Sequence, residues 1–331
     1  MTAEPATEES SGRSALERAR RWVAVAVAIA ALGYVAYAMW SGLRATGSAL
    51  AEFEWPLYAA VLGLTLANYS LRFWKWSYLL RRVDAGLPVR INAPIFVTGL
   101  AMVITPAKAG ELVKPWLVKE AAGTAMVRTI PVLVTERVTD GIAVIALAAL
   151  GVGTYASDSA STLLLAIGTV ALGLAALSSE NLSMAILRFL ARLPLIGRLG
   201  DRLVEMYRAL RTCVAPGALF VTVVVSLVAW WAECVGYWLV FRGLHVTVSL
   251  DLATFLYASA TVLGAPSPGG MGLADAGLVE GARALVPGLG AGQAMAAALL
   301  VRVATLWFGV VLGALMLLRV DAVIRRARAE G

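Results

Sequence analysis

The chain has 331 residues, of which 60% are hydrophobic and only 15% charged, with a formal net charge of +7. Soluble domains carry about 25% charged residues, and here the apolar residues fall in long uncharged runs, so a soluble protein is excluded. The excess positive charge sits in short segments between those runs, which is the pattern of membrane topology and not of nucleic-acid binding, so no nucleic-acid partner is expected.

Residues 1–21 are polar and carry four arginines, and read as a disordered cytoplasmic N-terminus. The uncharged run from Trp22 to Trp40 is too long for the core of a signal peptide, and is read as a retained first span. A second span is expected over about 55–71. The basic stretch Arg72, Lys75, Arg81, Arg82 and Arg90 follows, with Trp74, Trp76 and Tyr78 interleaved as an interfacial aromatic belt. The apolar run 91–107 ends at Thr105-Pro106 and is followed by a second helix breaker at Pro115, which predicts a short helix turning back within the protein, a re-entrant hairpin over about 91–120.

Further spans are expected over about 129–153, 160–179, 216–240 and 292–318. Segment 180–211 holds six arginines, with Leu203, Met206, Tyr207 and Leu210 at helical spacing. It reads as a cytoplasmic amphipathic helix, lying either on the membrane surface or on the end of the bundle. A second hairpin, about 252–287, breaks at Ala265-Pro266-Ser267-Pro268-Gly269-Gly270, and 319–331 is a basic tail.

Nineteen lysines and arginines lie in 1–21, 72–90, 180–211 and 319–331, against three in the alternate connections. This bias places the first set, and both termini, in the cytoplasm. The expected fold is all-α and polytopic: a single membrane domain over 22–318 with about six full transmembrane helices, two opposed re-entrant hairpins and inverted repeats.

Ionisable residues inside spans are expensive and mark interior or water-filled sites. Glu136 and Asp140 share a helix face, and Arg137 is three residues from Asp140. The plainer alternative leaves all three in the headgroup layer. Lys108 and Lys114 flank Gly110-Glu111 and can hold an anionic headgroup; Glu111 can pair with Arg137 or across the break, and the alternative is a solvated turn. Pro268, Gly269 and Gly270 precede a helix start, which attracts anions. Asp275 can cap that helix or pair with Arg302, deep in the last span. These twelve residues form the expected lipid-headgroup cavity. No metal or cofactor is expected, since His245 is the only histidine and there is no phosphate-binding loop. Cys213 and Cys234, 21 residues apart, lie about 30 Å apart along a continuous helix, too far for a disulfide.

Four ordered motifs, TPAKAGELVKPWLV at 105–118, ERVTDG at 136–141, APSPGGMGLADAG at 265–277 and LLVRVATLW at 299–307, resemble those of the lysylphosphatidylglycerol synthase transmembrane family, also called the flippase-like domain family. The resemblance runs from about 20 to 318. It places the family's Gly-Glu pair on Gly110-Glu111, its Glu-Arg pair on Glu136-Arg137, its Pro-Gly-Gly on Pro268-Gly269-Gly270 and its late arginine on Arg302. Lys114 stands where the family has arginine and Asp275 where it has glutamate. The resemblance implies a bacterial inner-membrane protein that flips or scrambles an anionic phospholipid or an isoprenoid-linked lipid. The expected partners are such lipids, with a separate enzyme of the synthase or glycosyltransferase kind as a further candidate. The alternatives are a membrane transferase with a lipid-linked donor, or a non-catalytic partner of a lipid or glycan synthesis enzyme. Only 13 residues follow Leu318, so no aminoacyl-lipid synthase activity is expected.

Overall fold

A computed structural model describes Val25 and residues 43–105, 110–155 and 200–330. Among these residues all regular structure is helical. The order is α1 (Leu43–Ala51), α2 (Trp55–Arg82), α3 (Val89–Ala101) prolonged by a 3-10 turn at Met102–Ile104, α4 (Val113–Ala122), α5 (Met126–Tyr155), α6 (Gly200–Cys213) and α7 (Pro216–Gly243). Then come α8 (Leu250–Gly264), a 3-10 turn at Pro268–Gly270, α9 (Leu273–Leu285), α10 (Ala291–Leu317) with a π-helical segment at Val303–Trp307, and α11 (Val320–Glu330).

The starts and stops follow local chemistry. Pro56 and Pro216 open α2 and α7, where a missing N–H costs nothing. The Ser249 hydroxyl accepts from Leu252 N–H at the start of α8. Gly123, at φ 69°, ends α4 in the left-handed conformation.

Among the described residues three helices, α5, α7 and α10, are long and apolar enough to cross a membrane; α3 with its 3-10 extension and α8 are apolar but shorter. The expected scheme of six full spans, two opposed re-entrant hairpins and inverted repeats is therefore corrected. Three of the expected spans correspond to α5, α7 and α10. The expected span at 55–71 does not stop at Leu71: α2 continues as one 28-residue helix to Arg82 and carries Arg72 and Lys75 in its buried face. Those charges remove it from the apolar class. The expected spans at 22–40 (apart from Val25) and 160–179, the N-terminus 1–21 and the part of 180–211 before α6 lie outside the described residues.

The ends of the bundle can be followed contact by contact. At one end Arg128, at the start of α5, pairs with Glu205 of α6 at 2.6 Å, and α11 packs on α3 and α4. At the other end Glu54 N–H donates to the Gly243 carbonyl at 2.9 Å, and Tyr155 bonds Asp251 at the start of α8. Between the two ends, the 3-10 turn after α3 and the turn between α8 and α9 touch: a Cβ on Gly269 would stand 3.2 Å from Ile104. Two apolar cores flank this contact. One joins α7, α8, α9 and the first half of α10 around Tyr237, Phe241 and Phe255; the other joins α2, α3, α4 and the end of α10 around Trp76, Ile95 and Leu117.

Candidate functional site

The polar face of α5 meets the basic residues of α2. Lys75 is fully buried; its Nζ lies 2.5 Å from Asp140 Oδ1 and also donates to Ser226 Oγ at 2.7 Å and Thr139 Oγ1 at 3.2 Å. The other Asp140 oxygen lies 3.7 Å from Arg72 and 3.8 Å from Arg137. Arg137 Nε also lies 2.9 Å from Glu111 Oε2. Charges this deep persist only when paired, because desolvating each ion costs several kcal/mol, about the scale that one good partner restores. A second pair stands behind the first. Lys114 Nζ lies 2.6 Å from Glu136 Oε2 and 4.2 Å from the Trp76 ring centre, and both side chains are almost wholly buried.

The turn between α8 and α9 carries positive φ at Gly269 (59°), Gly270 (74°) and Gly272 (80°), which glycine alone adopts without strain. Arg302 clamps it: Nη2 donates to the Gly269 carbonyl at 2.7 Å, and Nε lies 2.8 Å from Asp275 Oδ1. The other Asp275 oxygen accepts from Gly272 N–H at 2.8 Å. The anion-attracting start of α9 is therefore occupied by the chain's own carboxylate, and Asp275 is cap and ion-pair partner at once.

Between these groups lies a cavity of about 670 Å³. Of the residues expected from the sequence, Glu111, Arg137, Asp140, Gly269, Gly270 and Arg302 line it. Lys114 and Glu136 stand behind its wall as a pair, and Asp275 behind Arg302. Pro268 opens the turn, and Gly110 N–H donates to Thr105 Oγ1 at 2.9 Å, with no room there for a Cβ. Lys108 lies outside the described residues. The rim is apolar and outward-facing, with Leu112 43% and Val134 42% exposed.

Sequence reasoning placed Arg72 and Lys75 in a cytoplasmic loop; both are buried in α2 instead. It passed over Glu233, which lines the cavity from α7 and accepts a hydrogen bond from Tyr257 at 2.7 Å. The signal for Glu233 was available, since a glutamate inside a span is costly wherever it falls. For Arg72 and Lys75 the signal was misleading, because a basic cluster after an apolar run looks like a loop. The aromatic belt divides likewise: Trp74 is 44% exposed and stacks on Tyr78, whereas Trp76 is wholly buried.

Several buried polar atoms of the site have no hydrogen-bond partner among the described residues: Glu111 Oε1, Glu136 Oε1, Asp140 Oδ2 and Arg72 Nε. Three of these four side chains line the cavity, so the site has hydrogen-bonding capacity to offer a polar guest. Cys213 and Cys234 are buried free thiols, on separate helices where one segment was expected. Among the described residues no group of three His, Cys, Asp or Glu side chains is placed to hold a metal ion.

No curated protein matches the chain. The model of one family, described as the lysylphosphatidylglycerol synthase TM region, matches residues 13–313, nearly the whole length, and its matched span contains every charged residue of the cavity. With three membrane-length helices among the described residues around a charged interior, the chain is a multi-pass, membrane-embedded helical protein of lipid-associated type, and it belongs to the lysylphosphatidylglycerol synthase TM family.

Proposed function

We propose that this protein moves the headgroup of an anionic phospholipid or an isoprenoid-linked lipid across the inner membrane by way of the central cavity, as a flippase or scramblase, while the lipid tails stay in the bilayer. The observation that carries this reading is the pairing of an arginine-lined interior (Arg72, Arg137, Arg302) with an exposed apolar rim at Leu112 and Val134. Guanidinium groups match phosphate oxygens with paired hydrogen bonds. Arg137 and Arg302 are held by Glu111 and Asp275, so an arriving phosphate exchanges with a carboxylate and the carboxylate displaces it afterwards. That exchange keeps each arginine paired throughout, so no buried guanidinium is left alone. The basic end of the bundle faces the cytoplasm, and with it both termini.

Purified protein in liposomes with an acyl-labelled anionic lipid tests this. Wild type speeds exchange between leaflets. Arg302→Ala and Arg137→Ala each slow it about 10–100-fold, the range for losing one hydrogen bond to a charged group, with normal amounts of folded protein. Unchanged rates in both variants overturn the route. A new covalent lipid product identifies a transferase instead.

A further inference from the structure

Glu233 is the exception among the carboxylates of the interior. Glu111 is paired with Arg137, Glu136 with Lys114, Asp140 with Lys75 and Asp275 with Arg302. Glu233 is 4% exposed, and its partner is the Tyr257 hydroxyl; among the described residues no cation stands within ion-pairing distance of it. Yet it lines the cavity, so water or a guest can reach it. The ionisable groups that face it are Tyr69 and Arg72 from α2, Asp140 from α5, Tyr257 from α8 and Arg302 from α10. The two arginines among these are committed to Asp140 and Asp275.

A buried carboxylate without a cation is strongly disfavoured against its neutral acid. The charge balance of the interior gives that neutrality a use. The described residues place five cations there (Arg72, Lys75, Lys114, Arg137 and Arg302) against the four paired carboxylates. With Glu233 protonated, the interior has one positive charge in excess. With Glu233 ionised, it is balanced.

We propose that Glu233 is a proton-carrying site that couples lipid movement to a proton gradient. The coupling rests on the transport reading above; the proton site does not. A proton taken up from the acidic side leaves one positive charge uncompensated, which a single phosphate neutralises. Release of the proton to the other side, COOH giving COO⁻ and H⁺, restores balance without the lipid and expels it. Proton and anionic headgroup travel together.

Infrared difference spectroscopy of the protein in bilayers, titrated from acid to alkaline pH, tests the site directly. Wild type shows the carbonyl band of a buried protonated carboxyl at neutral pH. Glu233→Gln lacks it, and Tyr257→Phe shifts its frequency without removing it. Absence of the band in wild type, or its persistence in Glu233→Gln, overturns the site. Proteoliposomes holding acyl-labelled phosphatidylglycerol test the coupling. Acidifying one side accelerates movement out of that leaflet several-fold in wild type, and this response is absent in Glu233→Gln. A wild-type rate indifferent to the gradient, with the infrared band present, overturns the coupling and leaves the site. No lipid movement under any condition overturns the transport reading, and the coupling with it.

Discussion

Asp140 has a different standing from its neighbours. One carboxylate faces Lys75 at 2.5 Å, Arg72 at 3.7 Å and Arg137 at 3.8 Å. Removing it strands a fully buried ammonium, whereas removing Lys75 leaves Asp140 beside two arginines. Loss of one partner of a buried pair costs about 3–5 kcal/mol. Asp140→Ala is therefore expected to lower thermal stability in detergent by that amount, and Lys75→Met by clearly less. Equal losses would mean that the arginines do not compensate Asp140. The Lys114 site is built more tightly. A Cβ on Gly99 would stand 2.6 Å from Lys114 Cδ, and the lysine is held between Trp76, Phe96 and Glu136. The glycine is what lets this side chain lie along α3, a constraint invisible when the positions are read separately.

At the scale of the element, close helix approach depends on small residues. A Cβ on Gly313 of α10 would stand 2.4 Å from the Ala101 nitrogen and 2.8 Å from the Val97 carbonyl, backbone atoms of α3 that cannot rotate away. Such contacts are the usual means by which helices associate in lipid. Gly313→Leu is expected to destabilise by about 1–3 kcal/mol, the cost of overpacking, or to abolish folding. Gly63→Ala in α2, with nothing within 4 Å of the new methyl, is expected to be neutral or slightly stabilising. Thermal unfolding of both variants in one detergent checks this; equal effects would show that α3 and α10 are not in register as described. The π-helical segment Val303–Trp307 follows Arg302 directly. Its Thr305 carbonyl accepts from the Tyr69 hydroxyl at 2.7 Å, so a side chain of α2 satisfies a group that the widened turn offers.

For the whole molecule the arrangement of ends makes a topological prediction. Arg208, one turn from Glu205 at one end of the bundle, and Arg242, beside the Gly243 contact at the other, are both exposed. Cys213 and Cys234 are each at most 1% exposed, and burial pushes the Cys213 thiol up to about 11, so both are poor targets for thiol reagents. Intact wild-type protein is expected to label slowly with an impermeant maleimide. Arg242→Cys is expected to label from outside intact cells, and Arg208→Cys only after the membrane is opened. Labelling of both from the same side would overturn the orientation.

The sequence by itself determined that this is a helical membrane protein with ionisable residues set among its apolar segments, because hydropathy and charge are properties of composition and order. Glu111, Arg137, Asp140 and Arg302 were legible since each is an ionisable residue in an apolar setting, and membrane depth makes that costly. The tertiary structure alone decided the rest. It decided that α2 continues past Leu71, because a helix ends where packing and capping end it, and Asp140 across the bundle makes Arg72 and Lys75 tolerable inside. It decided that Lys114 and Glu136 stabilise each other behind the cavity wall, since a contact between α4 and α5 depends on distances in space. And it decided that, among the described residues, Glu233 is the interior carboxylate with a tyrosine hydroxyl and no cation at ion-pairing distance, which no spacing records, because pairing between helices is a property of the whole fold.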